Sequence, residues 1–503
     1  MYSVRVAGLI FLVCCSITAF AQPGLDKFDI NLGFTSSFPI HITQYGNKIA
    51  CYANDGSKGW ELYLTDGSSK PTMVNDMNPL AGSAIGLYSK NPIATIGSKL
   101  YFAADNGLNG IEVFSYNGSS TPLMTPEIAA GTDGCSPDNF TVLDGNLYFS
   151  ACTAAEGCEL WQYNPSINQH TRLTDLNAGS DSSLTGNIIA FANKIYFSAD
   201  SGSGNNELWM YDPVSSNVTL VDDINPGTAA SNPQNMLVIN GKLYFSAESA
   251  ANGRELYVYD GTSLPLRITD VTAGFQNGVP DVPQPIIAGF NNKIYFAGSD
   301  ANLINQLYVY DPATSNTTMA ASVNGTNTSV PQWLTSYAGK LYFTAYNDTT
   351  GLELWSYDGT NPPALVLDLC KGATGSNPQQ LLAVGDDLYF RANDCSGVGE
   401  ELLKYNYKKL SLQRLFFNAD VKLYPNPAKE AATLQVSFEA PTTMLAELTD
   451  MQGRIVYTTG MLEYSKGEYQ INLPVAQLPA GTYLCNLAGA DGKRYYNSLL
   501  TVQ

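Results

Sequence analysis

The stretch Lys242–Gly261, KLYFSAESAANGRELYVYDG, decides the fold. In its opening Lys-Leu-Tyr-Phe, Leu243 and Phe245 face one side of an extended chain and Tyr244 the other, so both faces are apolar. A polar loop joins this run to Glu255–Asp260, ELYVYD, and Gly261 turns the chain into Pro265–Val271. On the other side, Met236–Ile239 leads in through Asn240-Gly241, a strong two-residue hairpin signal. We label these four runs strands A, B, C and D. A strand that is apolar on both faces is packed between two sheets, whereas a one-sided sheet alternates with polar residues.

The template recurs along the chain. Its anchors, the residues before Leu/Ile-Tyr-Phe, are Lys48, Lys99, Asn146, Lys194, Lys242, Lys293, Lys340 and Asp387, the first copy being degenerate. They are spaced by 51, 47, 48, 48, 51, 47 and 47 residues. A period near 48 with four strand-like runs is the signature of propeller blades. Helical solenoids are excluded, because the runs alternate with a period of two. Four residues before the anchors stand Gln44, Thr95, Val142, Ala190, Val238, Gly289, Ser336 and Ala383, mostly small. Small side chains suit strands converging on an axis, which makes A the channel wall. Asp29-Ile30-Asn31-Leu32-Gly33 copies the end of a D strand, and the last unit has its own D candidate in Leu410–Phe417. Either one closes the ring.

A length of 503 residues exceeds one ordinary core, and 44% apolar with 14% charged residues describes a well-buried chain. The net charge of −19 argues against nucleic acid and anionic membrane surfaces. Arg5, the apolar run Val6–Thr18 and Ala19-Phe20-Ala21 read as a signal peptide over 1–21. No later run approaches the roughly 18 apolar residues of a spanning helix, so an exported protein without a transmembrane segment is expected. The propeller occupies 22–418. From there about seven short strands read as a small Ig-like β-sandwich over 419–503, which makes the whole chain all-β.

Seven cysteines follow the signal segment, and no CxxC pair points to zinc or redox chemistry. The A-B-C-D order puts the D–A and B–C loops on one face of the disc. Cys135, Cys152, Cys158, Cys370 and Cys395 all fall on or beside those loops. We expect Cys370–Cys395, and Cys158 paired with either Cys135 or Cys152.

Two resemblances rest on specific motifs. Glu159-Leu160-Trp161, Glu207-Leu208-Trp209, Glu353-Leu354-Trp355 and Tyr357-Asp358-Gly359-Thr360 resemble the ELWxxDGT-type repeat of secreted bacterial propeller-like proteins, a family without a general function to lend. The C-terminal region resembles the sorting domain of the type IX secretion system of Bacteroidota. Its signature is Tyr424-Pro425-Asn426-Pro427, followed by Asp450-Met451-Gln452-Gly453-Arg454 and then Leu478-Pro479-Ala480-Gly481-Thr482-Tyr483. That resemblance implies the type IX machinery as partner and passage through the periplasm and an outer-membrane translocon. Tail removal with surface attachment or release would follow.

Chemistry is harder to find. The aromatic stripe recurs in nearly every unit and reads as core. The strand-C glutamates Glu61, Glu112, Glu159, Glu207, Glu255, Glu353 and Glu401 are seven equivalent carboxylates, whereas acid–base catalysis needs one or two in differentiated environments. Asp29, Asp76, Asp175, Asp223, Asp270 and Asp368 at the D-strand ends suit turn capping, with calcium as the alternative; no cofactor is otherwise expected. Only His41 and His170 exist, the latter read as a solvated turn residue, and no G-x-S-x-G or phosphate-binding loop appears, so no catalytic residue is assigned.

What differs between units lies seven residues before the anchors: His41, Pro92, Asn139, Asn187, Asn235, Ile286, Trp333 and Gln380. The polar members with the Trp and His form a candidate small-ligand or glycan site at the channel mouth. Polar residues at a wet loop end are the plainer reading. The expectation is a surface binding or adhesion module for a glycan or protein. The alternatives are a polysaccharide-active enzyme using Asp138 or Asp181, and a structural surface component.

Overall fold

The computed structural model describes residues 24–33, 35–79, 82–85, 89–202, 204–282, 284–397, 399–408, 421–438, 441–450, 454–489 and 494–503. The signal segment 1–21, the D candidate Leu410–Phe417, Gly453 and the 418–419 junction lie outside them.

Hydrophobic residues on both faces of strand B force it between two sheets, and the molecule obeys. In blade 5, Gln234–Ile239, Lys242–Ser249, Gly253–Tyr259 and Leu266–Arg267 form an antiparallel A-B-C-D sheet. Phe245 packs with Tyr196 and Leu208 of blade 4, and Tyr244 packs with Ile294 and Phe296 of blade 6. Eight such four-stranded sheets are present, the architecture of an eight-bladed β-propeller. Each strand A lies against strand A of the next blade, and Ile40–Tyr45 of blade 1 lies against Gln379–Val384 of blade 8, closing the circle. The small residues predicted for the channel wall are there. Thr95 donates to the Gln44 carbonyl at 3.2 Å and Ser336 to the Gly289 carbonyl at 2.5 Å, each between adjacent A strands.

Strand D of blade 5 is shorter than Pro265–Val271. Ile268 N still donates to Leu256 O, but the Thr269 hydroxyl leaves the ladder to bond the Glu255 carboxylate. Blade 8 resolves the closure. Its order is Gln379–Val384, Asp387–Asn393, Glu400–Tyr405 and then Leu25–Phe28, so the N-terminal segment supplies the outer strand.

Each crossover from D to the next A is stitched to both blades. Ser231 N donates to Asn206 O of blade 4 at 3.1 Å, and Ser231 O accepts from Glu248 N of blade 5 at 2.8 Å. Ser37, Ala84, Cys135, Ser183, Ser329 and Ser376 repeat both bonds. The strand-C glutamate clamps the same crossover: Glu207 accepts Ile224 N at 3.1 Å, Ser231 N at 2.9 Å and the Ser231 hydroxyl. Such close approach excludes side chains at the end of the B–C loop. Gly253 has φ +63°, and a Cβ there would stand 2.4 Å from Gln276 O.

The chain divides into two compact units, Asp26–Tyr405 and a second from Asn406 onward. In the latter, Lys422–Tyr424, Ala431–Phe438 and Gly467–Pro474 form one sheet. Ile455–Thr458, Thr442–Thr449, Gly481–Gly489 and Arg494–Val502 form another, with Leu462–Tyr464 also paired to Thr442–Thr449. Among the described residues eight strands thus stand where about seven are expected. Val436, Phe438, Met444, Leu448, Leu473, Cys485 and Leu500 form their common core.

Candidate functional site

A pleated strand makes one residue per step available to each face, and a bulge disturbs that pattern. The register of strand A against B shifts between Ile40 and Thr43, Asp138 and Thr141, Gly186 and Ile188, Gln234 and Leu237, Gln332 and Thr335, and Gln379 and Leu382. At these bulges sit His41, Asn139, Asn187, Asn235, Trp333 and Gln380, all with positive φ (55°, 56°, 26°, 54°, 54° and 60°). These are the six candidate ligand-binding residues. Asn tolerates the left-handed region because its short polar side chain bonds locally, which accounts for blades 3, 4 and 5. Blades 2 and 6 carry Pro92 and Ile286 at this place, and there strand A is shortened to Ile93–Ile96 and Ile287–Phe290. These two blades also follow the two 51-residue intervals and stand half a turn apart.

Blades 7, 8 and 1 are adjacent and carry Trp333, Gln380 and His41. Gln380 Oε1 accepts His41 N at 2.8 Å, joining the ends of the ring. The His41 ring meets Tyr52 edge-on at 6.1 Å, and its buried Nε2 has no hydrogen-bond partner. Burial pushes its pKa down to about 4; the Lys90 backbone opposes the shift and the Arg391 charge adds to it. Trp333 is half-buried, and among the described residues its indole stacks on no ring and donates to no protein acceptor. The repeat tryptophan Trp355 differs: it is buried, and its Nε1 donates to Ala345 O at 3.1 Å. Opposite stand the asparagines of blades 3 to 5, of which Asn235 Nδ2 donates to Val282 O at 3.2 Å.

The other candidates have the following surroundings. Asp138 accepts Lys90 N at 2.8 Å, Asn91 N at 2.8 Å and Asn139 N at 2.8 Å, which ties strand A of blade 3 to the crossover into blade 2. Asp181 lies on an exposed loop. The strand-C glutamates are buried, and burial pushes Glu61, Glu255, Glu353 and Glu401 up to about 7. His170 is not a solvated turn residue. It lies in strand D of blade 3, with Nε2 2.9 Å from the Thr125 hydroxyl and its ring 4.7 Å from Tyr163, and burial lowers its pKa to about 4. At the D-strand ends, Asp76 pairs with Lys58 at 2.8 Å, and among the described residues no three His, Cys, Asp or Glu side chains converge as metal ligands.

Cys152 and Cys158 face each other across strands B and C of blade 3 and are bonded; Cys370 is bonded to Cys395. Cys135 takes no part. It occupies the crossover place held elsewhere by Ser37, Ala84, Ser183, Ser231, Ser329 and Ser376, and its thiol donates to Glu112 Oε2 at 3.1 Å. Cys370–Cys395 spans 25 residues and ties the crossover out of blade 7 to the B–C loop of blade 8. Loop-closure entropy for such a span is about 3 kcal/mol. Replacing both residues with serine is expected to lower the melting temperature by several degrees, read by calorimetry, while the Cys135→Ser variant keeps its melt.

In the C-terminal unit the signature residues converge on the last strand. Asn426 Nδ2 donates to Leu499 O at 2.7 Å and Asn426 Oδ1 accepts Thr501 N at 2.9 Å, while Ala428 N bonds Thr501 O. Both prolines, Pro425 and Pro427, follow cis peptide bonds, and Tyr424 ends its strand half-exposed. On the other side Gly481 and Tyr483 pair with Val502 and Leu500, and the Tyr483 hydroxyl donates to Pro479 O at 2.8 Å. Asp450 holds Arg454 N and the Arg454 guanidinium, closing the Asp-x-x-Gly-Arg hairpin from its base.

These features define an all-β propeller protein with an export tail. Residues 422–499 match the secretion system C-terminal sorting domain. The chain therefore carries a type IX sorting tail, which marks secreted cargo bound for the cell surface or the extracellular space, and implies interaction with the type IX machinery. No curated protein matches the chain. Among solved structures it is similar to PorZ, a bacterial surface component of the type-IX secretion system of Porphyromonas gingivalis, at 16% identity and TM-score 0.38, over 91% of this chain and 64% of that one. It is also similar to a puromycin hydrolase (12% identity, TM-score 0.47, 73% and 60% covered) and to a puromycin-hydrolyzing peptidase of Mycobacterium tuberculosis (10%, 0.47, 74% and 61%). The chain spans about three fifths of the length of each, and the likeness concerns the fold alone. Among the described residues no helix is long and apolar enough to cross a membrane.

Proposed function

We propose that this is a surface-delivered binding module whose ligand, a glycan or a surface protein, seats at the channel mouth on blades 7, 8 and 1. A signal peptide over 1–21, a propeller of ELWxxDGT-type repeats over 22–418 and a sorting domain over 419–503 complete the reading, in a Bacteroidota-like host. One observation carries it. Three adjacent bulges hold Trp333, Gln380 and His41 in the left-handed region that blades 3, 4 and 5 fill with asparagine. For a bulky residue that conformation costs on the order of 1–3 kcal/mol, and strain of this kind concentrates at functional sites.

The test separates function from packing. Trp333→Asn and His41→Asn install the residue the backbone prefers, so each is expected to melt at the wild-type temperature or up to a few degrees higher, yet to lose ligand. Fluorescence melts beside binding to glycan arrays and to host surface extracts read both quantities. Variants that melt lower and still bind would return these residues to the core.

A further inference from the structure

The last strand of the tail, Arg494–Val502, stands at the end of its sheet, so among the described residues one of its backbone edges has no partner strand within that sheet. Such an edge frays or pairs with another chain unless something covers it. Here the cover is the Tyr-Pro-Asn-Pro segment, which arrives from 73 residues away. Asn426 Nδ2 donates to Leu499 O at 2.7 Å, and Asn426 Oδ1 accepts Thr501 N at 2.9 Å. Ala428 N donates to Thr501 O at 2.8 Å, and Gln503 N donates to Ala428 O at 2.9 Å. Beneath this clasp Leu500 and Val502 lie in the core of the unit together with Ala428.

The chemistry required at position 426 is narrow. Pro425 and Pro427 lack the backbone N–H that a neighbouring strand would offer, and the Asn426 side chain supplies a donor in its place with an acceptor beside it. A carboxamide carries both. Aspartate has no donor for Leu499 O and sets a second oxygen against it, while alanine has neither group. Asn426 is an exposed residue, yet both ends of its amide are turned onto the last strand. The two ends of the sorting tail are thereby tied into one element. We infer that Asn426 is a positioning residue for export: the Tyr-Pro-Asn-Pro segment acts by clasping the last strand, and the type IX machinery takes up the tail only when that strand is held. This step is independent of any ligand at the channel mouth.

The experiment expresses the full chain in a bacterium with a type IX system and measures the fraction that reaches the surface or the medium. Hydrogen exchange on the purified full chain compares residues 495–503 with Ala431–Phe438 of the same unit. Asn426→Ala and Asn426→Asp are expected to speed exchange over 495–503 by about tenfold, to leave Ala431–Phe438 protected, and to cut the exported fraction by about tenfold. Asn426→Gln, which keeps a donor and an acceptor, should retain more export than Asn426→Asp. Thr501→Pro leaves the signature intact and removes the outward N–H that Asn426 accepts, a change an edge strand tolerates. It is expected to lose export in the same way. Normal export of Asn426→Ala with its last strand freed overturns the inference. Export lost in Asn426→Ala while 495–503 stays protected, or kept in Thr501→Pro with its strand freed, shows the machinery touching Asn426 itself and overturns the positioning role. Protection lost across the whole tail, Ala431–Phe438 included, overturns it in favour of stability alone.

Discussion

A chain beginning at residue 35 is expected to lose cooperative folding of its propeller, with the melting temperature falling by roughly 10 °C or more. The deletion removes Leu25–Phe28 from blade 8 and leaves Glu400–Tyr405 as an open edge. It also strips Phe28 and Ile30, which are 6% and 2% exposed, from the cluster they share with Ile49, Tyr63 and Leu402. Each such side chain contributes about 1.5–3 kcal/mol by burial. The Lys27–Asp394 and Lys404–Asp26 ion pairs disappear too, at little cost because each has a partly exposed partner. The closure is sharper still at Glu401, whose carboxylate accepts Ile30 N at 2.9 Å and Ser37 N at 2.9 Å from more than 360 residues away. Adding a synthetic peptide of residues 22–34 to the truncated chain should restore part of the lost transition. An unchanged melt in the truncated chain would place the closing strand elsewhere.

The second large effect concerns the strand-C clamp. Glu207→Ala leaves Ile224 N, Ser231 N and the Ser231 hydroxyl without their acceptor inside the fold, and each buried donor left unsatisfied costs about 1–3 kcal/mol. Glu207→Gln is expected to cost much less, because blade 6 already uses Gln306, whose Oε1 accepts the Ser329 hydroxyl at 2.9 Å and whose Nε2 donates to Asn327 O at 2.6 Å. The same carboxylates impose a pH dependence with a definite sign. Burial holds Glu61, Glu255, Glu353 and Glu401 at about 7, against 4.5 for a free glutamate. Between those values the folded state binds more protons than the unfolded chain, so stability is highest near the lower end and falls as the pH rises through 7. Calorimetry at pH 5 and pH 8 should show the higher melting temperature at pH 5. Gln at two of these positions should shrink the difference, and a melt that rises with pH would show the clamps to be anionic throughout.

The repeat was legible because its cause is local. Leu243, Tyr244 and Phe245 announce a strand buried on both faces, and that pattern recurs at each anchor. The seven glutamates were legible as one equivalent set, but their partners were hidden: Ile224 and Ser231 reach Glu207 only through the crossover's path. His170 misled because a polar residue near a turn reads as solvated, while the Tyr163 ring and the Thr125 hydroxyl that cover it come from strands distant in sequence. The asparagines seven residues before their anchors were visible as a set. Their left-handed bulges were not, since a shift in pairing register has no signature within one strand.

By itself the sequence determined a periodic all-β chain of eight units, the inner place of strand A, and a tail bearing the Tyr-Pro-Asn-Pro signature. Each of these follows from side-chain alternation, turn chemistry or a short motif, all of which act over a few residues. Only the tertiary structure decided that Leu25–Phe28 closes blade 8, that Cys158 bonds Cys152 while Cys135 serves Glu112, and that Trp333, Gln380 and His41 stand on neighbouring blades with strained backbones. Those outcomes depend on which distant segments meet when the ring closes, and contact across hundreds of residues is a property of the folded circle.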